Sequence, residues 1–419
     1  MKEISSAYNQ KLPLASTGET VESFLIDNDD SESERFSRFN LIQWWDQNRL
    51  SSAKVIVVGA GALGNEIIKN LSLLGIGNLL IIDFDKIEHS NLSRSVLYRE
   101  ADNGSSKSST AALAAKDIYP KANVESIDAD IVFDIGAGVF RWCDLVICGL
   151  DNREARLAIN RQCFLFQKVW IDGAIESIQG IARVFQSNGP CYECTMSQKD
   201  WELIKLRRSC NLLKKEEMEG GKTPTTPTIS AIIAGVQCQE AIKVLHGLSS
   251  IAGKGYVFNG LSCDSYMVEY QRKEDCFRHD PLEIVCPLDS RSDNTTINDL
   301  IARAKEDLGS DAVLELSRDI VEKFYCSTCG KEEFIFKSLG LVTEKAAICP
   351  SCANPKRDYS TFCTLYGDEH FLDYSFFNIG IPRFDIVIGR SSRSVVGYEF
   401  SGDEEFVLGR LSSAYRGHK

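Results

Sequence analysis

The sequence predicts an α/β fold: a Rossmann-like, mostly parallel sheet flanked by helices, with a C-terminal α+β domain that contains a zinc ribbon. Three observations carry that expectation. The apolar run Ala53-Lys54-Val55-Ile56-Val57-Val58 ends in Gly59-Ala60-Gly61-Ala62-Leu63-Gly64 and leads into the helix-like stretch NEIIKNLSLLG. A second apolar run, Leu79-Leu80-Ile81-Ile82-Asp83, closes a strand–turn–helix–strand unit of about thirty residues. Far downstream, Cys326-x-x-Cys329 and Cys349-x-x-Cys352 stand nineteen residues apart, a spacing that suits four thiolates around one zinc ion.

The remaining elements extend this pattern. Apolar strands read at Asp144-Leu145-Val146-Ile147 and Val169-Trp170-Ile171, with helical segments at 108–118 and 152–166. Strands this apolar need cover on both faces, which calls for helices above and below a largely parallel sheet. Residues 179–194 read as hairpin strands ending in Asn188-Gly189-Pro190-Cys191, and a polar, irregular stretch spans 197–227. A long helix begins near Thr228 and closes at Gly247. Beyond about 290 the character changes: TINDLIARAKEDLG is an amphipathic helix, FIFKSLGL a strand for the ribbon, and 384–389 and 394–398 are strand-rich. The expected domains are an acidic, flexible arm (1–33), a nucleotide domain (34–289) and a C-terminal domain (290–419).

Composition narrows the function classes. The formal net charge of −12 argues against a broad nucleic-acid-binding surface. No apolar run is expected to cross a bilayer, and MKEISSAYNQKLP lacks the apolar core of a secretory signal, so a cytoplasmic location is expected. In a reducing cytosol the 15 cysteines are metal ligands, nucleophiles or buried residues before they are disulfides.

The Gly-x-Gly-x-x-Gly turn has the context it needs, between a strand and a helix. Glycines allow close backbone approach to a phosphate, and the helix N-terminus offers unpaired N–H groups. Asp83, at the end of the next strand, is placed to accept from ribose hydroxyls. These features alone leave NAD and ATP open. The run Asp83-Phe84-Asp85-Lys86-Ile87-Glu88-His89-Ser90-Asn91-Leu92-Ser93-Arg94, followed by Lys107 and Gly149-Leu150-Asp151-Asn152, favours ATP. Hydride transfer has no use for such a set of cations. Cleavage between the α and β phosphates does, with Arg and Lys offsetting charge and an Asp holding Mg²⁺.

With these motifs in order, residues 34–285 resemble the ThiF/MoeB-type adenylyltransferases and the ubiquitin-activating enzymes built on the same fold. The resemblance assigns Gly59, Gly61 and Gly64 to the nucleotide loop and Asp83 to the ribose. Asp85, Asn91, Arg94 and Lys107 join them around the ATP, and Asp151 is the Mg²⁺-linked aspartate. Arg35-Phe36-Ser37-Arg38-Phe39 matches the entry segment whose second arginine, here Arg38, reaches the partner subunit's ATP; Phe39 and Ser95 stand where the family has glutamine. A homodimer is therefore expected.

The resemblance also implies a second zinc site. A matching cysteine pair in the family lies after the long helix, which here gives Cys191, Cys194, Cys276 and His279, with Cys286 as the alternative fourth ligand. Cys210, in Leu206-Arg207-Arg208-Ser209-Cys210-Asn211, lies beside cations that lower a thiol pKa and in the loop where activating enzymes carry their nucleophile, although Asn211 replaces the usual threonine. Cys238 reads as core and Cys263 as a weaker rival.

The expected function is adenylation of a ubiquitin-like protein's C-terminal carboxylate, thioester formation on Cys210, and transfer to a conjugating enzyme recruited by residues 290–419. Deleting those residues is expected to spare adenylation. The alternatives are a sulfur-carrier adenylyltransferase that forms no thioester and a non-catalytic scaffold subunit. An antiviral conjugation pathway is one setting compatible with the compact size.

Overall fold

The computed structural model describes residues 34–201, 224–352 and 357–414. The chain divides into two units, Met1–Trp45 and Asp46–Lys419. In the first, a short 3₁₀ turn spans Phe39–Leu41, directly after Arg38. Phe36 and Phe39 stack with centroids 6.0 Å apart, and Phe39 lies 4.7 Å from Trp45.

In the second unit the described residues form an eight-stranded and a six-stranded sheet. The larger is built from β1 (Lys54–Val58), β2 (Asn78–Ile82), β3 (Asn123–Ile127), β4 (Leu145–Cys148), β5 (Val169–Glu176), β6 (Gln179–Phe185), β7 (Lys254–Asn259) and β8 (Asp264–Glu269). Their order is β3-β2-β1-β4-β5-β6-β7-β8, parallel from β3 to β5 and antiparallel from there on. Every residue of β1, β2 and β4 is buried, as their Val- and Ile-rich runs require.

Helices connect these strands. They are α1 (Gln47–Ser52), α2 (Ala62–Leu73), α3 (Lys107–Ile118), α4 (Gly138–Trp142), α5 (Arg153–Leu165), α6 (Tyr192–Thr195) and α7 (Pro227–Leu245). Asn152 caps α5 by accepting from the Ala155 N–H, and Thr226 caps α7, whose first residue is proline. By length and composition α7 qualifies as a membrane span, which corrects the expectation that no run would. Ile229, Ile233, Cys238, Ala241 and Ile242 nonetheless pack into the protein core. A second correction concerns 179–194: the strand ends at Phe185, and Tyr192–Thr195 is a turn of helix that contains Cys194 and has Cys191 at its N-cap.

The smaller sheet contains β9 (Val285–Leu288), β10 (Val313–Tyr325), β11 (Glu332–Ser338), β12 (Asp358–Leu365), β13 (Ile386–Arg390) and β14 (Val395–Phe400). It also carries the helices α8 (Ile297–Leu308) and α9 (Glu404–Leu408). Because β9 pairs with β14, this sheet begins at Val285, ahead of the boundary expected near 290. Thr296 and Asp299 form a reciprocal capping box on α8.

The two sheets are joined through buried contacts. The Ala137 N–H donates to Asp385 Oδ1 at 2.8 Å, the Gly138 N–H to Phe384 O at 2.9 Å, and Trp142 Nε1 to Leu411 O at 3.3 Å. Phe384, Leu408 and Leu411 belong to the same apolar core as Ile56, Trp142 and Phe164. Residues 290–419 therefore complete the core of the nucleotide-binding layer, and their deletion would open it.

Candidate nucleotide site and cysteine clusters

The strand order places the site. β1 lies between β2 and β4, so the chain leaves its carboxyl end in one direction and returns to its other side only at β4. Ligands of open α/β sheets bind at such a reversal, outside the carboxyl ends of the strands. Gly59 follows β1 and Gly149 follows β4, and the two loops touch: a Cβ on Gly59 would lie 2.7 Å from Gly149 O, and Gly59 has φ +89°. A Cβ on Gly64 would lie 1.8 Å from Gly59 O. A Cβ on Gly61 would meet nothing within 4 Å, so the loop is open there, where α2 begins. This is the backbone arrangement that admits a phosphate to a helix N-terminus.

Asp83 follows β2 and joins this loop. Its Oδ2 accepts from the Ala60 N–H at 2.7 Å and its Oδ1 from the Asp85 N–H at 2.7 Å. Burial raises its pKa, against the opposing pull of Lys107 and these two N–H groups. Lys107, the first residue of α3, donates from Nζ to Asp85 Oδ2 at 2.7 Å. Asp83, Asp85 and Lys107 thus form one acid–base cluster beside the glycine loop.

Asn91 and Arg94 occupy the turn after β2. The Asn91 side chain accepts from the Glu88 N–H at 2.9 Å, and Arg94 Nη1 donates to Ser90 O at 2.7 Å. The segment that follows is tied to the nucleotide loop. The Leu97 N–H donates to Asn65 Oδ1 at 2.8 Å, Asn65 Nδ2 to Ala60 O at 2.7 Å, and the Tyr98 hydroxyl to Ala60 O at 2.6 Å. Asp151 is exposed at the mouth of the β4 loop, just ahead of α5. An exposed carboxylate beside an open phosphate loop is a suitable hard oxygen donor for Mg²⁺. Arg38 lies in the other unit, and Cys210 lies outside the described residues.

Sequence reasoning missed the groups that brace this site. Gln237 on α7 donates to Cys148 O at 2.8 Å, holding the end of β4. Asp172, fully buried on β5, accepts from Arg156 Nε at 2.8 Å and from Arg183. Burial pushes the Asp172 pKa up, but the two guanidinium groups outweigh it and hold the carboxyl below its usual range. The available signal was an aspartate inside the otherwise apolar strand VWIDGAI.

Cys191, Cys194, Cys276 and His279 converge, and so do Cys326, Cys329, Cys349 and Cys352. In the first cluster Cys191 Sγ lies 3.7 Å from Cys194 Sγ and 3.6 Å from Cys276 Sγ, and His279 Nε2 lies 3.4 Å from Cys194 Sγ. In the second, Cys326–Cys352 and Cys329–Cys349 are 3.5 and 3.7 Å apart. A tetrahedral ion with zinc–sulfur bonds of about 2.3 Å sets its ligands about 3.8 Å apart, so both clusters have a fitting geometry. His279 is the fourth member of the first cluster, while Cys286 is held in β9 opposite Tyr398. The Cys329 N–H is the main group that holds the Cys326 thiol below its ordinary range.

The nucleotide-loop region matches the ThiF family model over residues 34–278, and the chain belongs to the ThiF family. It is 29% identical over 241 residues to the SAMP-activating enzyme E1 of Haloferax volcanii, covering 55% of this chain and 81% of that protein. Similarity to the sulfur carrier protein adenylyltransferase of Thermus thermophilus is 29% over 237 residues, covering 55% and 83%. A 133-residue stretch is 44% identical to ubiquitin-activating enzyme E1 2 of Triticum aestivum, which is 29% of this chain and 12% of the wheat enzyme.

Proposed function

We propose that this protein activates a ubiquitin-like protein with ATP. A C-terminal carboxylate oxygen of the substrate attacks the α-phosphorus, the bond to the β-phosphate bridging oxygen breaks, and pyrophosphate leaves. The product is an acyl-adenylate. Lys107 and Arg94 offset the charge that builds on the phosphates, the 59–64 loop supplies backbone N–H groups, and Asp83 takes the ribose. Asp151 would hold Mg²⁺, which supplies charge neutralisation on the phosphates. The observation that carries this reading is the closure of the Gly59 and Gly149 loops beside the Asp83–Asp85–Lys107 cluster.

In the second step of the proposal the Cys210 thiolate attacks the acyl carbon and AMP leaves, giving a thioester for transfer to a conjugating enzyme. A homodimer, in which Arg38 serves the partner subunit's ATP, a cytoplasmic setting and two structural zinc ions complete it.

The similarity to a sulfur carrier protein adenylyltransferase over 83% of that protein supports a second reading, in which the reaction stops at the adenylate. Incubation with ATP–Mg²⁺ and candidate ubiquitin-like proteins, followed by gels with and without reductant, separates the readings. A reductant-sensitive adduct lost in Cys210→Ala supports thioester formation. Pyrophosphate exchange without an adduct supports the second reading, and neither activity would leave only a scaffold.

A further inference from the structure

One buried guanidinium holds the backbone on both sides of Asp151. Arg156, only 6% exposed, donates from Nη2 to Leu150 O at 2.7 Å and from Nη1 to Asn152 O at 3.4 Å. The same Nη2 reaches Gly173 O at 3.1 Å, and Nε reaches Asp172 Oδ1 at 2.8 Å. Asp172 is itself anchored by Arg183, whose guanidinium lies 5.1 Å from the centroid of the Tyr192 ring. Tyr192 sits between Cys191 and Cys194 of the first cysteine cluster. Buried contacts therefore run without a break from that cluster to the β4 loop.

Neutralising Asp172 would not require this arrangement. A lysine supplies the charge, but only a planar fork can bind a carboxylate with one N–H and reach several carbonyls with the others. The Asp151 carboxylate takes a single long hydrogen bond among the described residues, from Asn152 Nδ2 at 3.5 Å. Its direction is accordingly set by the backbone, and Arg156 fixes the carbonyls before and after it.

We infer that Arg156 is a positioning residue for the Mg²⁺-holding carboxylate, an inference that rests on the reading of Asp151 given above. Mg²⁺ demands near-ideal octahedral geometry, so a ligand held on a braced loop binds it better than one on a loose loop. Arg156 touches neither nucleotide nor metal in this role. It acts through the peptide groups of residues 150–152.

The test is a fluorescence titration of N-methylanthraniloyl-ATP against the full-length protein across a MgCl₂ series, with thermal melting recorded in parallel. Wild type, Asp151→Asn, Arg156→Lys and the double variant are compared. The expected result is a rise of about tenfold in the MgCl₂ needed for half-maximal nucleotide binding in Arg156→Lys, in line with the loss of an outer-shell partner. In the double variant the Arg156→Lys effect should vanish, because no carboxylate remains to be positioned. Wild-type Mg²⁺ dependence in a folded Arg156→Lys protein, or effects that multiply in the double variant, would overturn the inference. Should Arg156→Lys not fold, Asp172→Glu displaces the guanidinium while keeping the charge, and the same two outcomes apply. A wild-type protein that bound no nucleotide would overturn the reading of the site itself, a result distinct from a Mg²⁺ dependence that ignores Arg156.

Discussion

Lys107 Nζ lies 2.7 Å from Asp85 Oδ2, so the cation assigned to the ATP phosphates is paired with a carboxylate in the same cluster. The pair holds the long lysine side chain at the first turn of α3, beside Asp83 and the glycine loop. Pre-ordering of this kind lowers the cost of placing a charge where it develops during reaction. Lys107→Ala is expected to slow acyl-adenylate formation about 100- to 1,000-fold, the range seen when one such donor is lost. Pyrophosphate exchange with a cognate ubiquitin-like protein, at saturating ATP, measures it.

Asp172 predicts an acid dependence of stability. Its pKa is held below that of the unfolded chain, so the stabilisation is complete above the unfolded value of about 3.9 and is lost as pH falls toward the folded value. Asp172→Asn leaves Arg156 and Arg183 facing each other without their acid, at a cost of about 3–5 kcal/mol near neutral pH. Denaturant unfolding should show that the gap between wild type and variant narrows as pH is lowered below about 4.

The C-terminal segment should behave as part of the nucleotide-binding layer. Leu411 is fully buried in the core that includes Trp142, whose indole N–H donates to Leu411 O. Leu411→Ala should cost about 2–5 kcal/mol in global unfolding, as for other buried leucines. A chain ending at residue 289 should lose cooperative melting, measurable by calorimetry.

Each cysteine cluster should hold one zinc ion. Elemental analysis of the purified protein is expected to return two equivalents per chain, one for each cluster among the described residues. Cys349→Ser should remove one of them and lower the melting temperature, since structural zinc contributes folding free energy directly.

The parts of the fold legible in the sequence were those where local pattern and tertiary role agree. The Val- and Ile-rich runs of β1 and β2 are buried on both faces, and a glycine turn between strand and helix has few other uses. β3 escaped notice because NVESI, at the edge of the sheet, buries only Val124 completely. Tyr192–Thr195 was misread because four residues carry no helical period, and the turn is organised instead by tertiary contacts such as the Tyr192 N–H to Asn160 Oδ1 bond. The Arg156–Asp172–Arg183 network left one local trace, the aspartate inside VWIDGAI, and its partners could not be read because they come together only when α5, β5 and β6 pack. That His279 joins the three cysteines while Cys286 sits in β9 beside β14 is likewise a matter of tertiary packing.

The central claim is that one pocket brings a magnesium-holding acid and phosphate-binding cations to the α-phosphate of ATP. Its most direct test is ATP–pyrophosphate exchange stimulated by a ubiquitin-like protein, comparing wild type with Asp151→Ala. Exchange in the wild type that falls by at least about 100-fold in Asp151→Ala is the predicted result. Exchange of equal rate in the two proteins, or no ATP binding by the wild type, would contradict it.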